Sequence, residues 1–275
     1  MLSRPYSVET RCIASLRTYD ALYAPYPNQK PLMLYAYPPL VEGRLVKRYK
    51  RFFAEVKLTD GSIVTAHCPN TGPMTGVCTI GAPVLLSESD NPNRKLAYTW
   101  ELIQVDGTWV GINTNLPNKI VGLGLEKRLF SELGDYIKIE REVSYGSQKS
   151  RIDYRLTRAD NQQVYVEIKN TTWTDGKYDP RTALFPDTVT TRGQKHLEEL
   201  IEVAQSGQEA ILLFFINRPD CERFAPGEQA DPRYGKLFWK ALASGVKILP
   251  YRFQPTEEGV NFIGLAELAQ GLFNQ

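Results

Sequence analysis

No apolar run in the 275 residues approaches the ~20 needed to span a bilayer, and the longest, Ala210 to Ile216, has the length of a buried strand. A membrane-spanning helix is excluded, and no membrane partner is expected. The first residues lack an apolar h-region, so a secretory signal is not expected and the cytoplasm is the expected location. Cysteine and histidine are scarce. Cys12, Cys68, Cys78 and Cys221 form no C-x-x-C pair, and His67 and His196 are the two histidines. That set is poor for structural zinc and points to reduced thiols. Charge of one sign is missing too: 33 basic against 31 acidic residues leave +2. A nucleic-acid role must therefore rest on local clustering rather than on a global field.

What is present suits a globular protein of one large or two smaller domains, with 42% hydrophobic and 11% aromatic residues. Residues 1–36 form an N-terminal extension rich in Tyr and Pro, with no sustained period. They are expected to be dispensable for folding, with Met33 as a serviceable start. Residues 37–112 read as about five short strands separated by turn signals, among them Asp60-Gly61 and Asp106-Gly107. An OB-like β-barrel domain is expected there; an SH3-like barrel fits the pattern as well. From residue 113 to 275 the rhythm becomes α/β. A helical stripe over Val121–Leu133 is closed by Gly134. Strands follow near 136–145, 152–156 and 164–169. A helix capped by Thr190 or Thr191 runs to Gly207, and a buried strand spans Ala210 to Ile216. A helix over Tyr234–Ala243 and a strand over Val246–Tyr251 complete a mixed sheet flanked by helices.

The chemistry concentrates between Ser150 and Lys169. Asp153 heads one strand, and Glu167-Ile168-Lys169 closes the next. Side chains alternate along a strand, so Glu167 and Lys169 share a face. The triplet alone says little, because it recurs at Glu55-Val-Lys57 and Asp175-Gly-Lys177. Its place decides. It lies on a strand directly before a crossover helix, where a sheet is covered on both faces. An acid and a lysine buried there cost several kcal/mol unless paired or bound to metal. Two carboxylates and an ammonium at one spot suit Mg²⁺-dependent (or Mn²⁺-dependent) phosphodiester cleavage. Asp153 and Glu167 are the expected metal ligands, helped by the Ile168 carbonyl, and Lys169 is expected to meet developing charge.

The order helix, three strands carrying Asp then Glu-x-Lys, helix, strand resembles the core of the PD-(D/E)-x-K nuclease-like superfamily. A closer resemblance, over about residues 38 to 252, is to the sugar fermentation stimulation protein A family. It is carried by Arg48-Tyr-Lys-Arg-Phe52, His67-Cys-Pro-Asn-Thr-Gly72, Thr99-Trp-Glu-Leu102, Ser150-Arg-Ile-Asp153, Glu167-Ile-Lys-Asn170, Phe185-Pro-Asp187 and Thr190-Thr-Arg-Gly-Gln-Lys-His-Leu197. The resemblance implies an OB-like domain followed by a nuclease-like domain. It also implies DNA binding with little sequence preference and a role in regulating sugar metabolism genes. One departure stands out. Leu123 occupies a position where the family tends to carry Glu, which leaves the third carboxylate open between Glu126 and Glu142.

Arg44, Lys47, Arg48, Lys50 and Arg51, interleaved with Tyr49, Phe52 and Phe53, form the candidate DNA strip, with Arg94 and Lys95 as a weaker second patch. Its alternative is a solvated strand face over a barrel core. Second-rank candidates at the site are Glu142, Asp187, Arg192, Gln194, Lys195 and His196. His67 and Cys68 adjoin on a strand and face opposite ways, so a structural turn is expected rather than a nucleophilic dyad. The expected function is a DNA-binding protein with an Mg²⁺-dependent nuclease site. The alternatives are a non-catalytic, sequence-nonspecific DNA-binding regulator and an enzyme on a small nucleotide or sugar phosphate.

Overall fold

The computed structural model describes residues 31–146, 150–176 and 179–269. Five strands close the barrel: β2 (Leu40–Tyr49), β3 (Phe53–Leu58), β4 (Ile63–His67), β5 (Pro83–Glu88) and β6 (Tyr98–Val105). Their order is β4-β3-β2-β5-β6, and β6 returns to pair in parallel with β4 through Ala66↔Tyr98 and His67↔Thr99. That closure removes both sheet edges. A sixth strand, β7 (Thr108–Gly111), extends β6 as a hairpin. Its turn, Asp106 at φ 48° and Gly107 at φ 79°, has the two positive φ values of a tight hairpin. Leu45, Val56, Ala66, Leu86, Trp100 and Ile103 fill the interior. An OB-like barrel is thus what the short strands build.

The second sheet has seven strands in the order β1-β16-β15-β13-β10-β9-β8. These are β1 (Leu32–Ala36), β8 (Lys138–Tyr145), β9 (Ser150–Thr157), β10 (Gln163–Thr171), β13 (Glu209–Ile216), β15 (Lys247–Pro255) and β16 (Gly259–Leu265). The central three, β10, β13 and β15, run parallel. They are covered on both faces, which is why β13 reads as an unbroken apolar run. One face packs under α1 (Leu116–Glu126), with Ile120, Val121, Leu125, Val166, Ile168 and Phe215. The other packs under α2 (Thr191–Gln205) and α3 (Pro232–Ala243), with Leu197, Leu200, Phe214, Tyr234 and Phe238. Thr190 caps α2 as its hydroxyl accepts the Gly193 N–H at 3.0 Å, a bond worth about 1 kcal/mol.

Four differences from the sequence reading have physical causes. The helix expected over 121–133 is split: α1 starts early because Pro117 suits its first turn, and it ends at Glu126 with Lys127 as its C-cap. Arg128 then turns left-handed at φ 56° before a single 3-10 turn, Ser131–Leu133. The basic run is a hairpin rather than one strand, reversing at Lys50 and Arg51 with φ 47° and 64°. No Gly or Asn marks that turn. Leu32–Ala36 lies within the expected extension but forms the edge strand β1, antiparallel to β16, with Leu34 buried. Pro31 precedes the strand and Pro38 and Pro39 follow it, so none of them interrupts it. Finally, β11 (Trp173–Thr174), β12 (Thr182–Phe185), β14 (Arg223–Pro226) and β17 (Glu267–Leu268) form a small sheet of their own. Strands of two to four residues are too short to show a period. The rest of the 1–36 extension lies outside the described residues.

Candidate active site

Asp153 stands where two ladders are interrupted. The β9–β10 pairing ends at Val166↔Tyr154. The β8–β9 pairing passes from Arg141↔Tyr154 to Val143↔Ile152 without a Glu142–Asp153 pair. Glu142 has φ 51° at that point. The freed Asp153 carboxylate takes two donors. Oδ2 accepts the Ile168 backbone N–H at 2.7 Å, and Oδ1 accepts the Asn118 amide at 2.6 Å. Asn118 belongs to α1, and its carbonyl accepts the Tyr154 hydroxyl at 2.7 Å. Gly122 lets that ring lie against the helix, since a Cβ there would meet the Tyr154 hydroxyl. Helix and sheet together therefore aim Asp153 at the middle of the Glu167-Ile168-Lys169 triplet.

Glu167 and Lys169 share a face, as their spacing requires. Glu167 is only 3% exposed. Its Oε1 accepts the Lys169 ammonium at 2.7 Å and contacts His196 Nδ1. His196 Nδ1 also lies 3.1 Å from the Lys169 nitrogen, but one ring nitrogen cannot donate and accept at once. The carboxylate oxygen only accepts, so the proton sits on Nδ1. Nε2 is then the acceptor facing Arg192 Nε at 3.4 Å. Burial raises the Glu167 carboxyl, but Lys169 and His196 together leave it below its ordinary value. Asp153 goes the other way. Burial first and the Glu167 charge second push it up to about 6, against the lowering pull of the Ile168 N–H, Lys169 and Asn118.

The donor set can be tested against a divalent cation. Glu167 Oε2 is buried and has no hydrogen-bond partner. The Ile168 N–H points at Asp153, and a strand residue's N–H and C=O leave on the same side, so its carbonyl faces the same gap. Two carboxylates and a carbonyl are hard oxygen donors of the kind Mg²⁺, Mn²⁺ and Ca²⁺ take, and the residues fit such an ion. Among the described residues, no three His, Cys, Asp or Glu side chains already stand at metal-binding spacing.

The second-rank candidates divide. His196 joins the site, and Arg192 adjoins it through His196. Gln194 does not: its amide donates to both oxygens of Asp231 at 3.0 and 2.9 Å, where Asp231 also caps α3. Lys195 is half-buried on α2. Asp187 accepts the Thr75 N–H at 3.5 Å and lines a cleft of about 140 Å³ with Asn70, Thr114, Asn170 and Trp173. Glu142 and Glu126 are exposed, and Leu123 supplies no donor. Asn118 escaped the sequence reading because nothing local marks it. Tyr145, Tyr234 and Glu199 escaped it because they sit among apolar neighbours.

The candidate DNA strip is partly structural. Arg48 donates to the Asn70 and Gly72 carbonyls at 2.8 and 2.9 Å and to that of Arg51 at 3.1 Å. Arg51 donates to the Thr71 carbonyl at 2.9 Å. Both hold the 68–72 turn, where Cys68 is buried and Asn70 Oδ1 accepts the Gly72 N–H at 3.0 Å. Lys47 pairs with Glu55 at 3.0 Å, and Arg44 reaches the Gly81 carbonyl at 3.0 Å. Arg94 donates to the Thr99 hydroxyl at 2.7 Å. Lys50 and Lys95 are exposed, as is Phe52 at 49%.

Comparison with known proteins agrees with this architecture. Residues 46–112 match the family model described as SfsA N-terminal OB domain. Residues 115–259 match the model described as Sugar fermentation stimulation protein RE domain. The sugar fermentation stimulation protein homolog of Synechocystis sp. is 58% identical over 237 residues, 86% of this chain and 98% of that protein. The homolog of Nostoc sp. is 59% identical over 240 residues, with 86% and 98% covered. Among solved structures, Pyrococcus furiosus SfsA, determined in complex with Ca²⁺, is 26% identical at a TM-score of 0.77. That match covers 86% of this chain and 99% of the other. No helix among the described residues is long and apolar enough to cross a membrane. With the two domain models following one another along it and relatives matched over nearly their whole length, the chain belongs to the sugar fermentation stimulation protein family.

Proposed function

We propose that this chain binds DNA and hydrolyses phosphodiesters at Asp153, Glu167 and Lys169 with a divalent cation, Mg²⁺ or Mn²⁺. One observation carries the reading: Glu167 Oε2 is buried without a partner while Oε1 is held by Lys169 and His196. A buried acid with one oxygen fixed and the other open is arranged to receive a ligand with positive charge. Asp153, Glu167 Oε2 and the Ile168 carbonyl would hold the cation, which when bound supplies an activated water and neutralises phosphate charge. Asn118 and the Ile168 N–H orient Asp153. His196 orients Glu167. Lys169, 2.7 Å from Glu167 Oε1, presents an ammonium to the charge that builds on the phosphate. The Ca²⁺ complex of Pyrococcus furiosus SfsA supports a hard cation in this family. The exposed cations Lys50 and Arg51, which precede the exposed Phe52 in the chain, and the exposed Lys95 supply sequence-independent phosphate contacts.

The non-catalytic regulator has its own support: Lys169 is already engaged by Glu167, and no third carboxylate stands at metal-binding spacing among the described residues. The test is incubation of single- and double-stranded DNA and RNA with the protein and saturating Mg²⁺ or Mn²⁺. Cation-dependent cleavage that disappears in Lys169→Ala upholds the enzyme. DNA binding without cleavage of any substrate upholds the regulator.

A further inference from the structure

Glu199 is the most buried acid in the described structure that has nothing to bind. It is 0% exposed, and neither of its oxygens has a hydrogen-bond partner. Glu101 shows how this protein otherwise treats such a group. At 5% exposure its Oε1 accepts Ser87 at 2.6 Å and its Oε2 accepts Asn113 at 2.8 Å. An unanswered buried carboxyl carries a desolvation cost, and it calls for a partner that the chain itself does not supply.

The position of Glu199 says which ligand. It lies on α2 three residues after His196, so the two occupy neighbouring places on one helix face. His196 is the residue that touches Glu167. The end of β8 closes the other side. Gly146, at φ 69°, lies so near that a Cβ there would stand 2.8 Å from Glu199 Oε1. Its neighbour Tyr145 carries a buried hydroxyl without a partner. Burial raises that hydroxyl, and the charges of Glu167, Glu199 and Asp153 raise it further. Tyr234, also buried and unpartnered at its hydroxyl, feels Glu167 from the α3 side. Three carboxyl oxygens on this side of the sheet have no hydrogen-bond partner, one from Glu167 and two from Glu199. As carboxylates they are hard oxygen acceptors, and a compact divalent cation answers such acceptors.

We propose that Glu199 is the third carboxylate of the cation site, reached through the open oxygen of Glu167. The assignment rests on the cation reading of Asp153 and Glu167. It fills from α2 the role that Leu123 on α1 leaves empty and that the exposed Glu126 and Glu142 do not fill. Glu199 is a ligand held in reserve: its approach to the ion requires a change of side-chain rotamer, since no three-acid cluster is assembled beforehand among the described residues.

The experiment is Mn²⁺ titration by calorimetry, with thermal unfolding of the metal-free and Mn²⁺-loaded full-length protein. It compares wild type with Glu199→Gln and Glu199→Leu. Both variants should fold without metal and melt at or above the wild-type temperature, because an unpartnered carboxyl has been removed. Both should bind Mn²⁺ roughly tenfold or more weakly and lose most of the Mn²⁺-induced rise in melting temperature. Wild-type binding with unchanged affinity in both variants overturns the assignment and leaves the Asp153–Glu167 site standing. If neither variant folds without metal, Glu199 is a core residue and the assignment is overturned. If wild type binds no Mn²⁺ at all, the cation reading itself falls, and this ligand with it.

Discussion

The Asp153 carboxylate accepts the backbone N–H of Ile168 at 2.7 Å, just past the point where the β9–β10 ladder ends. A side chain has replaced a strand partner, so the acid is held by the sheet itself. The same bond sets Asp153 beside the Glu167 charge, and the consequences can be measured.

In metal-free protein, Asp153 titrates near 6 instead of its ordinary 3.8. The folded state therefore binds the proton more tightly than the unfolded chain. The sign follows: the contribution of this group to stability is fully present below about pH 4 and is lost as pH rises through about 6. The whole loss is on the order of 2–3 kcal/mol. Asp153→Asn loses one acceptor at every pH but removes this dependence. The difference in unfolding free energy between wild type and Asp153→Asn should move in favour of the variant between pH 4 and 6.5. A difference flat across that window would show that the Asp153 carboxyl is not raised in the folded state.

Lys169→Ala and Glu167→Ala should separate two roles. The ammonium is not a cation ligand, so Lys169→Ala should keep the Mg²⁺- or Mn²⁺-induced rise in melting temperature while losing at least a hundredfold in any cleavage rate. Glu167→Ala should lose both. Retention of the thermal shift in Glu167→Ala would remove Glu167 from the ligand set.

The basic hairpin should split in the same way. Arg48→Ala removes the guanidinium donor from the Asn70 and Gly72 carbonyls, leaving Asn70 only the weak Cys68 thiol, and should cost about 1–3 kcal/mol of stability. Lys50→Ala with Lys95→Ala should leave the melting temperature unchanged. That pair should weaken DNA binding for all sequences alike and flatten the slope of log K against log salt by about one to two units. An unchanged slope in a fluorescence-anisotropy titration would place the DNA on another surface.

Truncation tests β1. A chain beginning at Pro31 keeps the strand on β16, whereas one beginning at Pro38 lacks it and the buried Leu34. The longer form should melt close to the full chain. The shorter should lose about 2 kcal/mol or more and expose the β16 edge. Equal melting temperatures would make β1 an ornament of the sheet.

Period and punctuation were enough for much of this protein. The closely spaced short strands with Asp-Gly turns announced the barrel, and the apolar run Ala210 to Ile216 announced a strand covered on both faces. The two-residue spacing of Glu167 and Lys169 put them on one face of a strand before any fold was known. These are local properties, carried by neighbours in the chain. Three things were decided only by tertiary structure. Asp153 meets Ile168 and Asn118 because two ladders break beside it, and a ladder break belongs to three strands at once. Arg48 and Gln194 look like ligand-binding residues in sequence, yet the fold spends them on the 70–72 carbonyls and on Asp231. Glu199 looks like one more solvated helix acid. It is buried because α2 packs against both the sheet and α3, and no stretch of residues 191–205 states how many of that helix's faces will be covered.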